Sequence, residues 1–295
     1  VTAPRHSSPK PASPLRYPGG KGCLAGFLAH VISLNGLGGA AYYEPYAGGA
    51  GAALELLRRG LVSEVFINDA DPRIASFWTA VLGHPERFTD RLLTVPLTIA
   101  EWQRQREVLA APQAHDGFEL GFAAFYLNRC NRSGVLVGAG PIGGMGQQGK
   151  WRLDARFNRE QLARRIFAVA QMRAAIRVEN QDALCFLRRV LPRGAARARV
   201  FVYLDPPYVN KGPRLYLNSY AARDHVALAA YLGVQRTLPW VVSYDDTELV
   251  RSLYAAQAIQ PLPMRYSLHD KRVGSELLIA PRRVVLPPLV KHAWG

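Results

Sequence analysis

The sequence predicts an α/β protein: an open, mostly parallel sheet with helices on both faces, an antiparallel edge near the C-terminus, and a mostly helical insert. Three observations predict it. The apolar run Val200-Phe201-Val202-Tyr203-Leu204 reads as a buried strand, and it stops abruptly at Asp205-Pro206-Pro207-Tyr208. Residues 41–57 read as strand, glycine-rich turn and helix, with Gly48, Gly49 and Gly51 in the turn. A second strand, Glu64-Val65-Phe66-Ile67-Asn68-Asp69, then ends in an acid 18 residues after Gly51.

The elements follow in order. A helix is expected near 21–34, then the glycine-turn strand and its helix, Ala52–Leu57. The Asp69 strand comes next, followed by a helix near 73–82. After an insert over 84–174 come a strand near 176 and a helix over Ala183–Leu191, opened by Asp182. The strand near 200 precedes Trp240-Val241-Val242-Ser243, and Leu277-Leu278-Ile279-Ala280 closes the sheet. The insert is expected to hold helices near 98–110 and 117–129. Its stretch Ser133–Gln148 carries six glycines, cannot build a core, and reads as a loop or hairpin ahead of Lys150-Trp151-Arg152. Residues 1–14, rich in Pro and Ser, are expected to be a disordered tail, which leaves 15–83 and 175–295 as the sheet domain.

In open α/β sheets ligands bind outside the carboxyl ends of the strands. The Asp205-Pro206-Pro207-Tyr208 tetrapeptide therefore projects from the right edge for chemistry. An exocyclic nucleobase amine is a poor nucleophile, because its lone pair is delocalised into the ring. A carboxylate and a backbone carbonyl can accept its two hydrogens and localise that pair. Pro206 has no N–H to compete for the acceptors, and Tyr208 can stack on the base. Two prolines after a strand also serve simply as a stop signal. The glycine turn with Asp69 indicates an adenosine-containing cofactor, its ribose hydroxyls held by the acid. The Gly-Gly-x-Gly spacing departs from the Gly-x-Gly-x-x-Gly of nicotinamide dinucleotide sites. S-adenosylmethionine has no pyrophosphate to cradle and tolerates the shorter turn. Asp71 is a near neighbour of the strand-end acid Asp69.

On four stretches the chain resembles the Dam-like, alpha-type DNA adenine-N6 methyltransferases. They are Arg16-Tyr17-Pro18-Gly19-Gly20-Lys21, Glu44-Pro45-Tyr46-Ala47-Gly48-Gly49-Ala50-Gly51, Ile67-Asn68-Asp69 and Asp205-Pro206-Pro207-Tyr208. Phe125-Tyr126-Leu127-Asn128-Arg129 and Ser275-Glu276-Leu277-Leu278-Ile279 look like further family segments, so the resemblance spans roughly 15–282 in the family's order. It implies a Rossmann-like S-adenosylmethionine-dependent methyltransferase sheet with an inserted target-recognition domain. It also implies S-adenosylmethionine as cofactor, with Tyr17 and Lys21 touching it, and Glu44, Pro45, Gly48, Gly49 and Gly51 against its methionine part. Asp69 would hold the ribose and Asp182 the adenine; Asp182 fits a helix N-cap equally well. Asp205, Pro206, Pro207 and Tyr208 would then grip an adenine flipped out of duplex DNA.

The net charge of +15, from 37 Lys and Arg against 22 Asp and Glu, suits a polyanionic partner. From Lys150 to Arg199 there are 13 basic and 4 acidic residues, several on Arg-rich helix patterns such as Arg159, Arg164 and Arg165. Arg129, Asn131 and Arg132 have the types that read base edges, and equally those that bind phosphate or cap a helix. Lys150 and Arg152 lie behind the glycine-rich loop, and Lys271 and Arg272 in a late turn; both pairs are candidate DNA contacts. None of the cysteines, Cys23, Cys130 and Cys185, follows proline, which argues against the thiolate route to cytosine ring-carbon methylation. Methylation of cytosine's exocyclic amine, an RNA adenine substrate, and a non-catalytic DNA-binding role on the same fold are the competing readings. No metal site, signal segment or membrane span is expected. A monomeric intracellular protein acting on double-stranded DNA is the resulting expectation.

Overall fold

The computed structural model describes residues 13–16, 24–210, 220–264 and 274–288. Seven strands form one mixed sheet: β1 (Ala40–Glu44), β2 (Val62–Asn68), β3 (Ile176–Glu179), β4 (Val200–Leu204), β5 (Trp240–Asp245), β6 (Ala258–Met264) and β7 (Gly274–Ala280). Their spatial order is β3-β2-β1-β4-β5-β7-β6. The first five run parallel, and β7 enters antiparallel between β5 and β6. This is a Rossmann-like, doubly wound arrangement with the antiparallel edge where the sequence placed it. Pro261 and Pro263 sit on the outermost strand β6, where a missing N–H costs no ladder bond on the open side.

Both faces of the sheet are buried, and the strand period of two divides the side chains between them. Tyr42, Phe201, Tyr203, Val241 and Leu278 point into one core. Their neighbours Tyr43, Val200, Val202, Val242 and Leu277 point into the other. The first face carries α1 (Ala25–Leu34), α2 (Gly51–Arg58) and α3 (Pro72–Gly83); the second carries α8 (Ala183–Arg189), α9 (Ala222–Gly233) and α10 (Glu248–Leu253). Several helices start where a side chain takes up a free N–H: Asp71 opens α3, Asp182 opens α8 and Thr247 opens α10.

Between β2 and β3 lie α3 and four further helices: α4 (Pro85–Thr94), α5 (Ile99–Ala110), α6 (Gly117–Cys130) and α7 (Arg159–Gln171). Their apolar side chains are continuous with the first face of the sheet. Phe77 of α3 stacks on Phe125 of α6 at 5.9 Å and meets Phe88 of α4 edge-on at 5.8 Å. The region reserved by the sequence for an insert is thus an extension of the sheet's own core. After α6 the chain runs through Asn131–Pro141 as an antiparallel bridge, closed by Arg132 N–H to Gly140 O at 3.1 Å and Ile142 N–H to Cys130 O at 2.8 Å.

The α3–α6 contact depends on Gly121. A Cβ there would lie 2.5 Å from the Ser76 carbonyl oxygen, a backbone atom that cannot swing away. Replacing Gly121 with alanine should therefore destabilise the fold by about 1–3 kcal/mol through overpacking, outweighing the gain of about 1 kcal/mol in helix propensity. Urea unfolding measures this; an unchanged or raised midpoint would refute it.

The N-terminal boundary differs from the sequence expectation. Ser13 and Pro14 are buried, with Leu15 in the first-face core. The Ser13 carbonyl accepts from Arg165 Nη1 at 3.2 Å, and the Pro14 carbonyl from Arg129 Nη1 at 3.4 Å. Composition cannot reveal such docking, because the donors lie more than a hundred residues away. No described helix is long and apolar enough to cross a membrane.

Candidate active site

The sheet order reverses between β1 and β4, and the two strands that diverge there deliver their carboxyl ends side by side. Glu44 ends β1, and Asp205 follows β4 directly. Asp205 is held from β5: Ser243 Oγ donates to Asp205 Oδ1 at 2.7 Å and lies 2.9 Å from the Tyr203 hydroxyl. Asp245, two residues further along β5, accepts the N–H groups of Val209 and Asn210 at 3.0 and 2.9 Å. The tetrapeptide is therefore clamped to β5 before and after its prolines.

The glycine turn lies at the same edge. Gly48 adopts φ of +46°, the left-handed region that a residue without Cβ enters most easily. Its N–H donates to Asp69 Oδ2 at 2.9 Å, and its carbonyl accepts the indole N–H of Trp78 at 2.9 Å. Gly49 continues the turn and Gly51 begins α2. Asn68 joins three strand ends: its Nδ2 donates to the Pro45 and Gln181 carbonyls at 2.9 and 3.0 Å, and its Oδ1 accepts the Gln181 N–H at 3.0 Å. Asp69 Oδ1 accepts the Asp71 N–H, so both carboxylate oxygens brace backbone. Asp71 itself caps α3 and pairs with Arg73, which separates its role from that of Asp69. Asp182 accepts from Leu184 and Cys185 N–H as the α8 cap, at an exposed position on the same edge.

Electrostatics mark the junction of the two stretches. Burial, and then the nearby Asp205 carboxylate, push the Glu44 carboxyl up to about 8. Burial pushes Asp69 up to about 7. The Tyr208 phenol is held well above its ordinary value by burial first, with Asp205 and Glu276 adding to it. Tyr208 is 9% exposed and belongs to the second-face core. Among the described residues two oxygens on this edge find no hydrogen-bond partner: Glu44 Oε2 at the end of β1 and Gln181 Oε1 just beyond β3. Orphaned buried acceptors are costly unless a ligand satisfies them. A ligand bearing N–H donors, such as the amino groups of an amino acid or an adenine, fits this pair.

The expected DNA contacts divide sharply. Asn131 is fully buried; its Oδ1 accepts the Trp102 indole N–H and its Nδ2 donates to Val135 O, both at 2.7 Å. Arg129 is 8% exposed and donates from Nε to Arg156 O at 2.8 Å. In the free protein these two side chains bond within the fold, because the end of α6 turns inward. Arg132, Lys150 and Arg152 are exposed around the glycine-rich loop, with Trp151 63% exposed between the last two. Among the arginines of α7, Arg159 turns inward to the Leu92 and Val95 carbonyls, while Arg164 pairs with Glu160 on the surface. Tyr17, Lys21, Lys271 and Arg272 lie outside the described residues. Burial raises the Cys130 thiol to about 12, so it is held as an inert thiol.

Sequence reasoning missed Ser243, Asn68, Asp245 and the orphaned Gln181. A serine inside a buried strand carries a faint signal, since it must find a partner across the sheet; nothing local says that the partner is Asp205. No curated protein matches the chain. The family model of the D12 class N6 adenine-specific DNA methyltransferases matches residues 17–268, which includes the glycine turn, the Asp69 strand and the tetrapeptide. With most of the chain covered, and with the reversal point of the sheet joining the two motifs, the protein belongs to the D12 class of N6 adenine-specific DNA methyltransferases, enzymes that methylate adenine in DNA.

Proposed function

We propose that the methyl donor is S-adenosylmethionine and that the carboxyl edge between β1 and β4 is where it meets a flipped adenine. The observation that carries this reading is the pairing of Asp205, fixed by Ser243, with the buried Glu44 across the reversal point. Glu44, Pro45, Gly48, Gly49 and Gly51 line the methionine side, Asp69 holds the ribose and Asp182 the cofactor adenine. Glu44 Oε2 and Gln181 Oε1 accept N–H groups that nothing else satisfies. S-adenosylmethionine, when bound, supplies an electrophilic methyl group.

The chain's own residues do the rest. A base inside duplex DNA cannot reach this edge, so it must leave the stack. The Asp205 carboxylate and the Pro206 carbonyl accept the two amine hydrogens and turn the nitrogen lone pair away from the ring. Pro206 and Pro207 fix the backbone so that the carbonyl stays aimed outward, and Tyr208 walls the base pocket. When nitrogen gains the methyl group it must shed a proton, and Asp205 is the acceptor in reach. Positioning and preorganised charge supply most of the acceleration. Residues 84–174 form the target-recognition region, with Arg132, Lys150 and Arg152 on the duplex, joined by Lys271 and Arg272. The protein acts as a monomer, which suits an asymmetric contact to a single base.

Incubation with methyl-labelled S-adenosylmethionine and either duplex DNA or folded RNA tests this, with sequencing of DNA from cells expressing the protein. N6-methyladenine at a fixed sequence context is the expected result. Labelled RNA beside silent DNA would overturn the substrate, and label on cytosine would overturn the base.

A further inference from the structure

Four arginines converge where the N-terminal segment crosses α6, the residues before α7, and α7 itself. Arg129 lies at the floor, Arg16 and Arg165 are half-buried, and Arg156 is exposed at the rim. Main-chain carbonyls hold two of them in place: Arg129 donates to Arg156 O and Pro14 O, and Arg165 to Ser13 O. Arg16 is fixed by its backbone, whose N–H donates to Asn128 Oδ1 at 2.7 Å and whose carbonyl accepts Asn128 Nδ2 at 2.6 Å. Its Nη1 is buried and finds no partner among the described residues.

Carbonyls orient a guanidinium but do not neutralise it. Among the described residues none of the four forms an ion pair, and residues 1–23 contain no Asp or Glu at all. Burial first, and then Arg16 and Arg165, lower Arg129 to about 9; burial and then Arg156 lower Arg16. Four like charges packed together without an acid are unfavourable in the free protein, and an anion relieves that cost. Guanidinium forks match phosphate oxygens in pairs. The cluster also adjoins the glycine-rich loop, because Asn128 Nδ2 donates to Gly134 O at 2.9 Å as well as to Arg16 O.

We propose that Arg16, Arg129, Arg156 and Arg165 form a phosphate clamp that grips one backbone phosphate diester of the duplex beside the glycine-rich loop. The clamp rests on the assignment of DNA as substrate and adds a positioning site to it. It carries no sequence information, so it fixes the duplex while other residues read it.

Arg156 is the informative position, because no side-chain hydrogen bond of its own is present to be lost among the described residues. The Arg156→Gln protein should unfold at the same temperature as the wild type or higher, since repulsion is relieved. Its affinity for a random-sequence duplex should nevertheless fall, with the slope of log K against log salt shallower by at most about 0.9, the value for the one phosphate that the four guanidiniums share. Arg16→Gln should do the same. A methylphosphonate placed at successive backbone positions should weaken wild-type binding at one position and weaken Arg156→Gln less there. An unchanged salt slope, or equal methylphosphonate sensitivity in both proteins, overturns the clamp. Methyl transfer measured at low salt in the same samples keeps the two levels apart: an unchanged slope with labelled DNA removes the clamp alone, whereas wild-type protein that labels no DNA removes the substrate assignment beneath it.

Discussion

Replacing Asp205 with asparagine should lower kcat by about 10²–10⁴-fold, the range for losing a positioned proton acceptor or a preorganised charge at the reacting atom. The amide keeps the shape but loses the charge, and it can present N–H₂ to an amine that itself needs acceptors. Binding of the methyl donor and of DNA should change far less, so the loss falls on kcat. Ser243→Ala is the informative companion. It leaves the carboxylate in place and removes the 2.7 Å hydrogen bond that aims it, together with the 2.9 Å bond to the Tyr203 hydroxyl. A hydrogen bond to a charged group contributes about 1.5–3 kcal/mol, so kcat should fall by roughly 10- to 100-fold. Ser243→Thr, which keeps the hydroxyl, should recover part of it. Steady-state kinetics with labelled donor read both variants. If Asp205→Asn retained near-normal kcat, the carboxylate would not be at the reacting nitrogen, and the site would have to be moved.

The second large effect is a pH dependence of stability with an unusual direction. Most folded proteins gain stability as buried or paired carboxylates ionise; Glu44 does the reverse. Its folded-state value is raised to about 8 by burial and Asp205, from an ordinary carboxylate value of 4.5. Between those two values the folded protein holds a proton that the unfolded chain has released. Its contribution is therefore fully present below about pH 4.5, falls as pH rises, and is lost once pH passes about 8. Asp69, raised to about 7, acts in the same sense. Glu44→Gln removes the titration while keeping the shape. Above pH 8 it should be more stable than the wild type by about 2–4 kcal/mol, and near pH 5 the two should converge. Denaturant unfolding across pH 5–9 measures the difference. Parallel curves for the two proteins would mean that Glu44 is not a buried acid in the folded state.

Elements with strong local signals were legible in advance. The strand at 200–204, the turn after β1 and the helices at 72–83, 99–110 and 117–130 each follow from residue period, glycines or caps within a few positions. The antiparallel edge near the C-terminus was expected too, ending in Leu277-Leu278-Ile279-Ala280, whereas the edge strand β6 was not among the expected elements. The candidate site was half legible. Asp205 and Asp69 stand at strand ends, where chemistry-bearing residues announce themselves. Ser243 and Gln181 matter only through partners on other strands, and sequence position does not disclose those pairings. Arg129 and Asn131 show how residue type alone leaves a role open. Their types suit base edges, but the end of α6 faces the interior, and the same donors and acceptors are used on Arg156, Trp102 and Val135.

By itself the sequence determined the chemical vocabulary: a parallel sheet, a turn shaped for a small cofactor, a tetrapeptide suited to an amine, and a cationic chain. Those features are short-range, since backbone conformation and residue chemistry act within a turn or a strand. Only the tertiary structure decided which of them meet. The reversal between β1 and β4 sets Glu44 beside Asp205, and the crossing of the N-terminal segment over α6 gathers four arginines around one point. Proximity between residues far apart in the chain is set by packing of the whole sheet and its helices, and no local pattern encodes it.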